Sequence, residues 1–173
     1  MTRPVPRRYG IWLFESIATV PQLAWEDFYP GRVFEHGPRS MARDEMIAFA
    51  TEFDPQPMHL DEAAARATML GGLCASGWYA CCILMRMCAE AFVLDSRSMG
   101  APGVDDVKWL VPIRPDDQLH LRATVIETRA SASRPSMGFV RFAFELFNGQ
   151  GERVMTLTTS LMMGRRSATG GGA

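Results

Sequence analysis

Residues 74–94 read CASGWYACCILMRMCAEAFVL, and this stretch decides how the chain folds. Apolar residues lie on nearly every face of a helix drawn through it, and Arg86 and Glu90 share one edge four residues apart. A helix of this kind is stable only when other elements cover it. We therefore predict a buried central helix over about 76–94. The apolar run at 70–85 is shorter than the roughly 18 residues of a membrane span, so we expect no transmembrane helix.

The hydrophobic period changes from that of a helix to that of a strand beyond residue 103. Apolar and polar residues alternate in four segments that we predict to be strands: 104–111, 118–128, 138–147 and 152–163. The residues Asn-Gly-Gln-Gly at 148–151 predict a hairpin turn, because Asn and Gly tolerate a positive φ. A buried helix followed by an antiparallel meander is an α+β fold, in which the sheet wraps a long central helix.

The segment before the central helix is predicted to form one strand and two shorter helices. Alternation over 32–36 predicts the strand. Apolar residues at helical spacing over 46–53 predict an amphipathic helix, and Ser40 is its expected N-cap. Asp61 is placed to cap a second, short helix through 63–67.

Length and composition fit one folded domain. The chain has 173 residues, of which 47% are hydrophobic and 21% charged, a usual globular mixture. We divide it into an N-terminal extension (1–22), a core domain (23–165) and a flexible C-terminal tail (166–173). The net charge is −1, from 18 Lys and Arg against 19 Asp and Glu, which lacks the positive excess of nucleic-acid-binding proteins. Glu15 interrupts the N-terminal apolar run, so we expect no signal peptide and a cytoplasmic protein.

All four cysteines, Cys74, Cys81, Cys82 and Cys88, lie in or next to the predicted central helix. Seven residues of helix rise about 10.5 Å, so cysteines spaced by seven cannot share one zinc ion through bonds of about 2.3 Å. We interpret them as small buried hydrophobic residues in a reducing compartment. Neither a metal site nor a cofactor is expected from this sequence.

One of the three histidines differs from the other two. His36 and His120 lie in strand patterns and are interpreted as solvated. His59 ends the loop Asp54-Pro-Gln-Pro-Met-His59, which two prolines stiffen. A carboxylate and an imidazole on one rigid loop can hold a water molecule between them, which suits hydration. Taken alone, the pair could also be a simple hydrogen bond across a turn.

Two ordered motifs surround this pair. The segment Phe49-Ala-x-x-x-Asp54-Pro-Gln-Pro-Met-His59-Leu-Asp61, with Gly71-Gly-Leu-Cys-Ala-Ser-Gly77-Trp78 after it, resembles the signature of the MaoC-like dehydratases, which are R-specific enoyl-CoA hydratases of hot-dog fold. Further likeness extends the resemblance over roughly residues 25–163. The resemblance implies a hydro-lyase that reversibly adds water to a trans-2-enoyl-CoA thioester. It also implies a second copy of the chain as partner, in a homodimer or a dimer of dimers.

The resemblance also implies roles for four residues. Asp54 and His59 are the catalytic pair. Ser76 and Gly77 bind the substrate, with the backbone N–H of Gly77 facing the thioester oxygen. This last role has a physical basis, because the free N–H groups at a helix N-terminus stabilise developing negative charge.

Four positions depart from the family pattern. Gln56 replaces the common asparagine, Ser76 a histidine and Phe53 a glycine, and some members carry serine at the position of Met85. These departures leave the acyl group of the substrate open. Two other functions also stay open: a hot-dog acyl-CoA thioesterase, and a non-catalytic protein that binds acyl thioesters. The candidate partners of the coenzyme A phosphates are Lys108, Arg114, Arg134 and Arg141.

Overall fold

The computed structural model describes residues 21–166 of the chain. The predicted extension (1–22) and the predicted tail (166–173) fall almost wholly outside the described residues. Arg166 is the last described residue, and its guanidinium donates to both carboxylate oxygens of Asp27, at 2.6 and 2.7 Å. This end of the described chain is therefore fixed to its beginning.

One antiparallel sheet dominates the structure. Within residues 21–166 it has five strands, in the spatial order β1-β3-β4-β5-β2. The strands are Val33–Ser40 (β1), Asp106–Trp109 (β2), Gln118–Ala130 (β3), Met137–Phe147 (β4) and Arg153–Gly164 (β5). All four strands predicted beyond residue 103 form. β2 is shorter than predicted and ends where the N–H groups of Leu110 and Val111 both bond to the Val154 carbonyl.

Four α-helices of the described chain lie between β1 and β2, and the last of them is the central helix. Their bounds are Arg43–Phe53 (α1), Pro57–Leu60 (α2), Glu62–Arg66 (α3) and Gly77–Cys88 (α4). α4 continues through a π-helical turn, Ala89–Val93, so the central helix predicted at about 76–94 is confirmed. Across the described part of the chain, every helix is too short or too polar to span a membrane.

The two predicted N-caps have different outcomes. Asp61 caps α3, since its Oδ1 accepts a hydrogen bond of 2.8 Å from the Ala64 N–H. The prediction that Ser40 caps α1 is wrong. Ser40 pairs with Gln118 as the last residue of β1, and the residue before α1 is Ala42, whose methyl group accepts no hydrogen bond. Sheet pairing therefore outweighs the local capping preference of this serine.

The sheet covers most of α4. The buried residues of this helix are Tyr79, Ala80, Ile83, Leu84, Met87 and Cys88. They belong to one hydrophobic cluster with strand residues such as Leu121, Phe142 and Leu157. Trp78, Cys82 and Met85 lie four and three residues apart and are exposed on the single chain. We call these three residues the helix stripe.

The cysteines divide by burial. Cys74 and Cys88 are buried as predicted, and burial raises the pKa of the Cys88 thiol to about 12. The prediction is wrong for Cys82, which is exposed in the single chain because it lies on the helix stripe. All four cysteines are free thiols.

Candidate active site

The proline-containing link between α1 and α2 places Asp54 and His59. α1 ends at Phe53, and Asp54 leaves the helical conformation with φ −149° and ψ 66°. Pro55 favours this break, because a residue that precedes proline is pushed away from the helical region. Pro57 begins α2, where a missing N–H costs no hydrogen bond. His59 follows within the single turn of α2 and is only 8% exposed.

Asp54 and His59 face each other with a defined proton arrangement. The distance between Asp54 Oδ2 and His59 Nε2 is 3.5 Å. On the other side of the ring, Nδ1 lies 3.0 Å from the Cys74 carbonyl oxygen. A carbonyl only accepts, so Nδ1 carries the hydrogen and donates it. In the neutral imidazole Nε2 is then a free acceptor, directed at the carboxylate.

Both oxygens of Asp54 receive a hydrogen bond. Ser76 Oγ donates to Oδ2 at 2.7 Å, and Gln56 Nε2 donates to Oδ1 at 2.7 Å. The pKa of the Asp54 carboxyl lies below its usual value. The hydrogen bond from the Ser76 hydroxyl is the largest cause, and the one from the Gln56 amide is the second. The nearby His59 lowers this pKa further, whereas partial burial raises it. Asp54 is therefore a carboxylate at neutral pH and cannot donate a proton there.

Gly77 is the first residue of α4, and its carbonyl and Cα are held by Trp109 on β2. Trp109 Nε1 donates to the Gly77 carbonyl oxygen at 3.0 Å. The indole lies so close that a Cβ on residue 77 would come within 2.5 Å of Trp109 Cε2. The N–H of Gly77 has no acceptor within the helix, because the first turn of any helix leaves its N–H groups free. Trp78 meets Trp109 edge-on, with ring centroids 5.7 Å apart.

These groups line one cleft of about 380 Å³. Asp54, His59 and Gly77 are part of its wall. Most of the remaining wall is apolar: Leu70, Cys74, Ala75, Trp78, Ala80, Trp109, Leu110, Val111, Pro112, Ile113 and Val154. An apolar cleft with a few convergent polar groups is typical of a small-molecule site. The cleft can therefore hold an apolar chain beside a carboxylate, an imidazole and a helix N-terminus.

The sequence of this chain matches a known protein family. A family model of the MaoC like domain matches residues 27–138. The chain belongs to the MaoC-like family. The predicted family and the predicted α+β hot-dog fold are both confirmed. Membership supports a hydratase or dehydratase activity.

Known proteins similar to this MaoC-like chain span nearly its whole described part. A MaoC-like dehydratase from Rhodospirillum rubrum is 36% identical, with a TM-score of 0.74 over 83% of this chain and 98% of that one. The R-hydratase PhaJ1 from Pseudomonas aeruginosa is 22% identical, with a TM-score of 0.66 over 83% and 87%, and shows the shared fold. The uncharacterized protein YdeM of Bacillus subtilis (strain 168) is 25% identical over 140 residues, which are 81% of this chain and 98% of that protein.

Three of the four predicted site residues of this MaoC-like chain meet at the cleft. Asp54, His59 and Gly77 line it, although 23 residues separate the aspartate from the glycine in the sequence. Ser76 is different: it is 0% exposed and lies behind the wall, with its hydroxyl directed at Asp54. The structure thus brings all four together but gives Ser76 no surface in the cleft.

Sequence reasoning missed two contributors. The sequence marks Gln56 only as a departure from the family pattern, yet its amide donates a hydrogen bond to Asp54 Oδ1. Its position two residues after Asp54, in a stiff loop, was the available signal. Trp109 was not assigned to the site, because nothing in local spacing joins it to Gly77, 32 residues away.

The candidate phosphate-binding side chains lie in different settings. Arg114 is occupied inside the domain, where its guanidinium donates to the carbonyls of Leu70, Gly72 and Leu73. This cation fixes the segment before α4 and faces backbone oxygens. Two others form surface ion pairs, Lys108 with Asp106 at 3.4 Å and Arg141 with Asp105 at 3.3 Å.

The remaining histidines lie on another surface of the MaoC-like domain. His36 pairs with Glu90 on the π-helical turn, with 3.0 Å between Nε2 and Oε2. His36 and His120 line a second cleft that shares no residue with the first. Between residues 21 and 166, no group of three or more His, Cys, Asp or Glu side chains is placed to hold a metal ion.

Proposed function

We propose that this protein is a hydro-lyase that reversibly adds water to a trans-2-enoyl-CoA and forms the (R)-3-hydroxyacyl-CoA. The observation that carries the proposal is the position of Asp54 Oδ2 and His59 Nε2, 3.5 Å apart in the wall of an apolar cleft. Membership of the MaoC-like family supports the reaction class. The R configuration is the expectation that the family resemblance supplies.

Two acceptors side by side orient a water molecule for attack. Water donates one hydrogen to Asp54 Oδ2 and the other to His59 Nε2, so its free lone pairs point away from both groups and into the cleft. An alkene carbon held there then faces an oxygen lone pair. Such prior orientation removes much of the entropic cost of a reaction between two molecules.

The proposed reaction needs one water and returns both side chains to their starting state. The water oxygen bonds to C3, and the electron pair of the double bond moves toward the thioester carbonyl, which gives an enolate. One water proton passes to His59 Nε2, and the Asp54 carboxylate stabilises the resulting imidazolium. The imidazolium then delivers a proton to C2, so the product carries a hydroxyl on C3 and a new hydrogen on C2.

The enolate requires a donor at the thioester oxygen, and Gly77 is the candidate. Its N–H is free of the helix ladder and lies at the positive end of α4, beside the same cleft. Donors that are fixed before the reaction stabilise developing charge with little reorganisation. Trp109 holds the Gly77 carbonyl and thereby fixes the peptide that follows it.

The test is a panel of trans-2-enoyl-CoA thioesters, followed by loss of the absorbance of the conjugated double bond. We expect Asp54→Asn and His59→Ala each to lower kcat by about 10² or more. The double variant should be little slower than either single variant, because groups that act as a unit lose most of their effect together. Asp44→Asn at the other end of α1 and His120→Ala on β3 are matched controls that should keep wild-type rates.

Each alternative function has its own result in the same assay. A thioesterase attacks the carbonyl and releases free coenzyme A thiol, while the double bond survives. A non-catalytic binding protein retains acyl-CoA but changes neither signal. Thiol release without hydration, binding without turnover, or equal rates in the wild type and both site variants would each overturn the hydratase proposal.

We also propose that the working form is a homodimer or a dimer of dimers. Two features of the single chain support it: the exposed helix stripe of Trp78, Cys82 and Met85, and the strand β2, which pairs only with β5 among the described strands. Exposed sheet edges and apolar stripes are commonly covered by a second copy in symmetric oligomers. Trp78 also lines the cleft, so a copy bound on the stripe would lie beside the site.

A further inference from the structure

The hydroxyl of Ser76 joins two parts of the site. Ser76 is 0% exposed, and its Oγ makes two hydrogen bonds. It donates to Asp54 Oδ2 at 2.7 Å and accepts from the Trp78 N–H at 3.2 Å. The carboxylate oxygen it holds is the same one that faces His59 Nε2.

This arrangement connects the proposed water site to the proposed oxyanion site. Asp54 directly follows α1 and Gly77 begins α4, and Ser76 is the N-cap residue that precedes Gly77. As the cap of α4, its hydroxyl fixes the first helical turn, which carries the free N–H of Gly77. As a donor, the same hydroxyl fixes the carboxylate. One side chain therefore connects the carboxylate proposed to hold water with the helix start proposed to hold the thioester oxygen.

We propose that Ser76 is a positioning residue: it holds Asp54 Oδ2 in register with the start of α4 and does not touch the substrate. The inference rests on the proposed hydratase function and assigns Ser76 a role other than substrate binding. Its burial behind the cleft wall supports this role. So does its geometry, since the short hydrogen bond uses the hydroxyl hydrogen and leaves none for a ligand.

Other groups also contact Asp54 or its partner His59, independently of Ser76. Gln56 donates to Oδ1, and His59 is the titratable group facing the carboxylate in the described chain. Cys74 lies behind the imidazole, with its sulfur 3.6 Å from Nδ1. The Ser76 hydroxyl is the largest cause of the lowered pKa of Asp54. Its removal should therefore raise that pKa, while Gln56 and His59 continue to lower it.

The experiment compares three replacements of Ser76 with one control. Ser76→Ala removes both the hydroxyl and the cap. Ser76→Gly removes the hydroxyl but keeps a residue that helix N-termini accept. Ser76→Thr restores the hydroxyl. Ser96→Ala is the control, because Ser96 is also buried and hydrogen-bonded, to the Val93 carbonyl at the opposite end of the helical segment.

We expect Ser76→Ala and Ser76→Gly to lower kcat by on the order of 10-fold to 10²-fold, because a small misplacement of a reacting group slows the chemical step. KM should change by less than about twofold, because Ser76 does not touch the substrate. Part of this loss in kcat should be recovered in Ser76→Thr, which restores the hydroxyl. Independently of activity, NMR titration of the Asp54 carboxyl in the free protein should show a higher pKa in both variants. Ser96→Ala should change none of these.

The outcomes separate this inference from the proposed function. If Asp54→Asn loses activity while the Ala and Gly variants keep the wild-type kcat and Asp54 titration, the positioning role is wrong and the hydratase assignment stands. A rise in KM alone would also overturn it, because that result indicates substrate binding. Full activity in Asp54→Asn would overturn the hydratase assignment and, with it, the role of Ser76.

Discussion

Trp109 and Gly77 form a matched pair, in which the indole occupies the space that any side chain on residue 77 would need. The Trp109 Nε1 donates to the Gly77 carbonyl at 3.0 Å, and a Cβ on residue 77 would come within 2.5 Å of Trp109 Cε2. Glycine at this position is therefore required by a close approach. Glycine usually weakens a helix, but here it allows the indole to pack directly on the backbone.

Gly77→Ala should destabilise the protein although alanine is the better helix former. Overpacking of this kind costs about 1–3 kcal/mol. Alanine gains roughly 1 kcal/mol over glycine only in a helix interior, and residue 77 is the first residue of α4, where that gain is smaller. Displacement of the indole should also lower kcat, since the peptide at the start of α4 shifts. Thermal unfolding and the hydration assay measure the two effects.

A double variant distinguishes this clash from other effects of alanine. In Gly77→Ala/Trp109→Ala the added methyl meets no indole, so the two substitutions together should cost less stability than the sum of the single changes. Gly103→Ala is a matched control, because no atom lies within 4 Å of its added Cβ. Strict additivity of the two single changes would contradict the packing argument.

Trp109 should also limit the size of the acyl group. Its indole lines the cleft together with Trp78 and Leu110. Trp109→Leu enlarges the cleft, which should favour longer or branched enoyl-CoA substrates over crotonyl-CoA. The kcat/KM for such a substrate, divided by that for crotonyl-CoA, should rise by about tenfold or more, which is the effect of one or two methylene groups in a pocket. Leu94→Ala, at an exposed position beyond α4, is the control and should leave the ratio unchanged. A uniform loss for all substrates would instead indicate a role in positioning Gly77 alone.

The elements of the fold could be predicted because periodicity reports burial. The central helix and the strands at 118–130, 137–147 and 153–164 bury regular patterns of side chains, and those patterns are visible in the sequence. Ser40 shows the limit: its local preference for capping is real, but pairing with Gln118 extends the strand over it. Long-range pairing is invisible to local propensity.

The site was predicted less completely for the same reason. Asp54 and His59 are five residues apart, and their spacing in a recognisable motif identifies them. The structure places His59 in α2, although the sequence predicts a loop there. The Ser76–Asp54 and Trp109–Gly77 hydrogen bonds join residues 22 and 32 positions apart. Contacts across such separations depend on how the chain folds back, which residue type alone does not determine. Ser76 was assigned to the site, but its contact with Asp54 emerged only from the structure.

Asp54 should make stability depend on pH in the acidic range. Its pKa in the folded protein lies below the ordinary 3.8, chiefly because of the Ser76 hydroxyl. The carboxylate therefore contributes stability that is fully present above about pH 5 and is lost as pH falls through the folded-state pKa. Urea unfolding between about pH 5 and pH 3 should show a smaller loss of stability in Asp54→Asn than in the wild type.

The matched control for this pH effect is Asp44→Asn, in which the free energy of unfolding should depend on pH as it does in the wild type. Asp44 lies in the first turn of α1, at the end of that helix far from Asp54, and does not line the cleft. If the free energy of unfolding fell equally with pH in Asp54→Asn and in the wild type, the hydrogen bonds to the Asp54 carboxylate would not favour its charged form.

The helix stripe should bind a second copy of the chain. Trp78 is 60% exposed and Met85 49% exposed, although half of the residues of α4 are buried. Met85→Glu places a charge on the stripe, where a partner would have to desolvate it, so association should weaken strongly. Sedimentation velocity at micromolar concentration should show a dimer or larger assembly for the wild type and a shift to monomer for Met85→Glu. Met69→Glu is the control, because Met69 is 99% exposed in the loop after α3 and lies off the stripe. A monomeric wild type, or dissociation by both substitutions alike, would contradict association through this stripe.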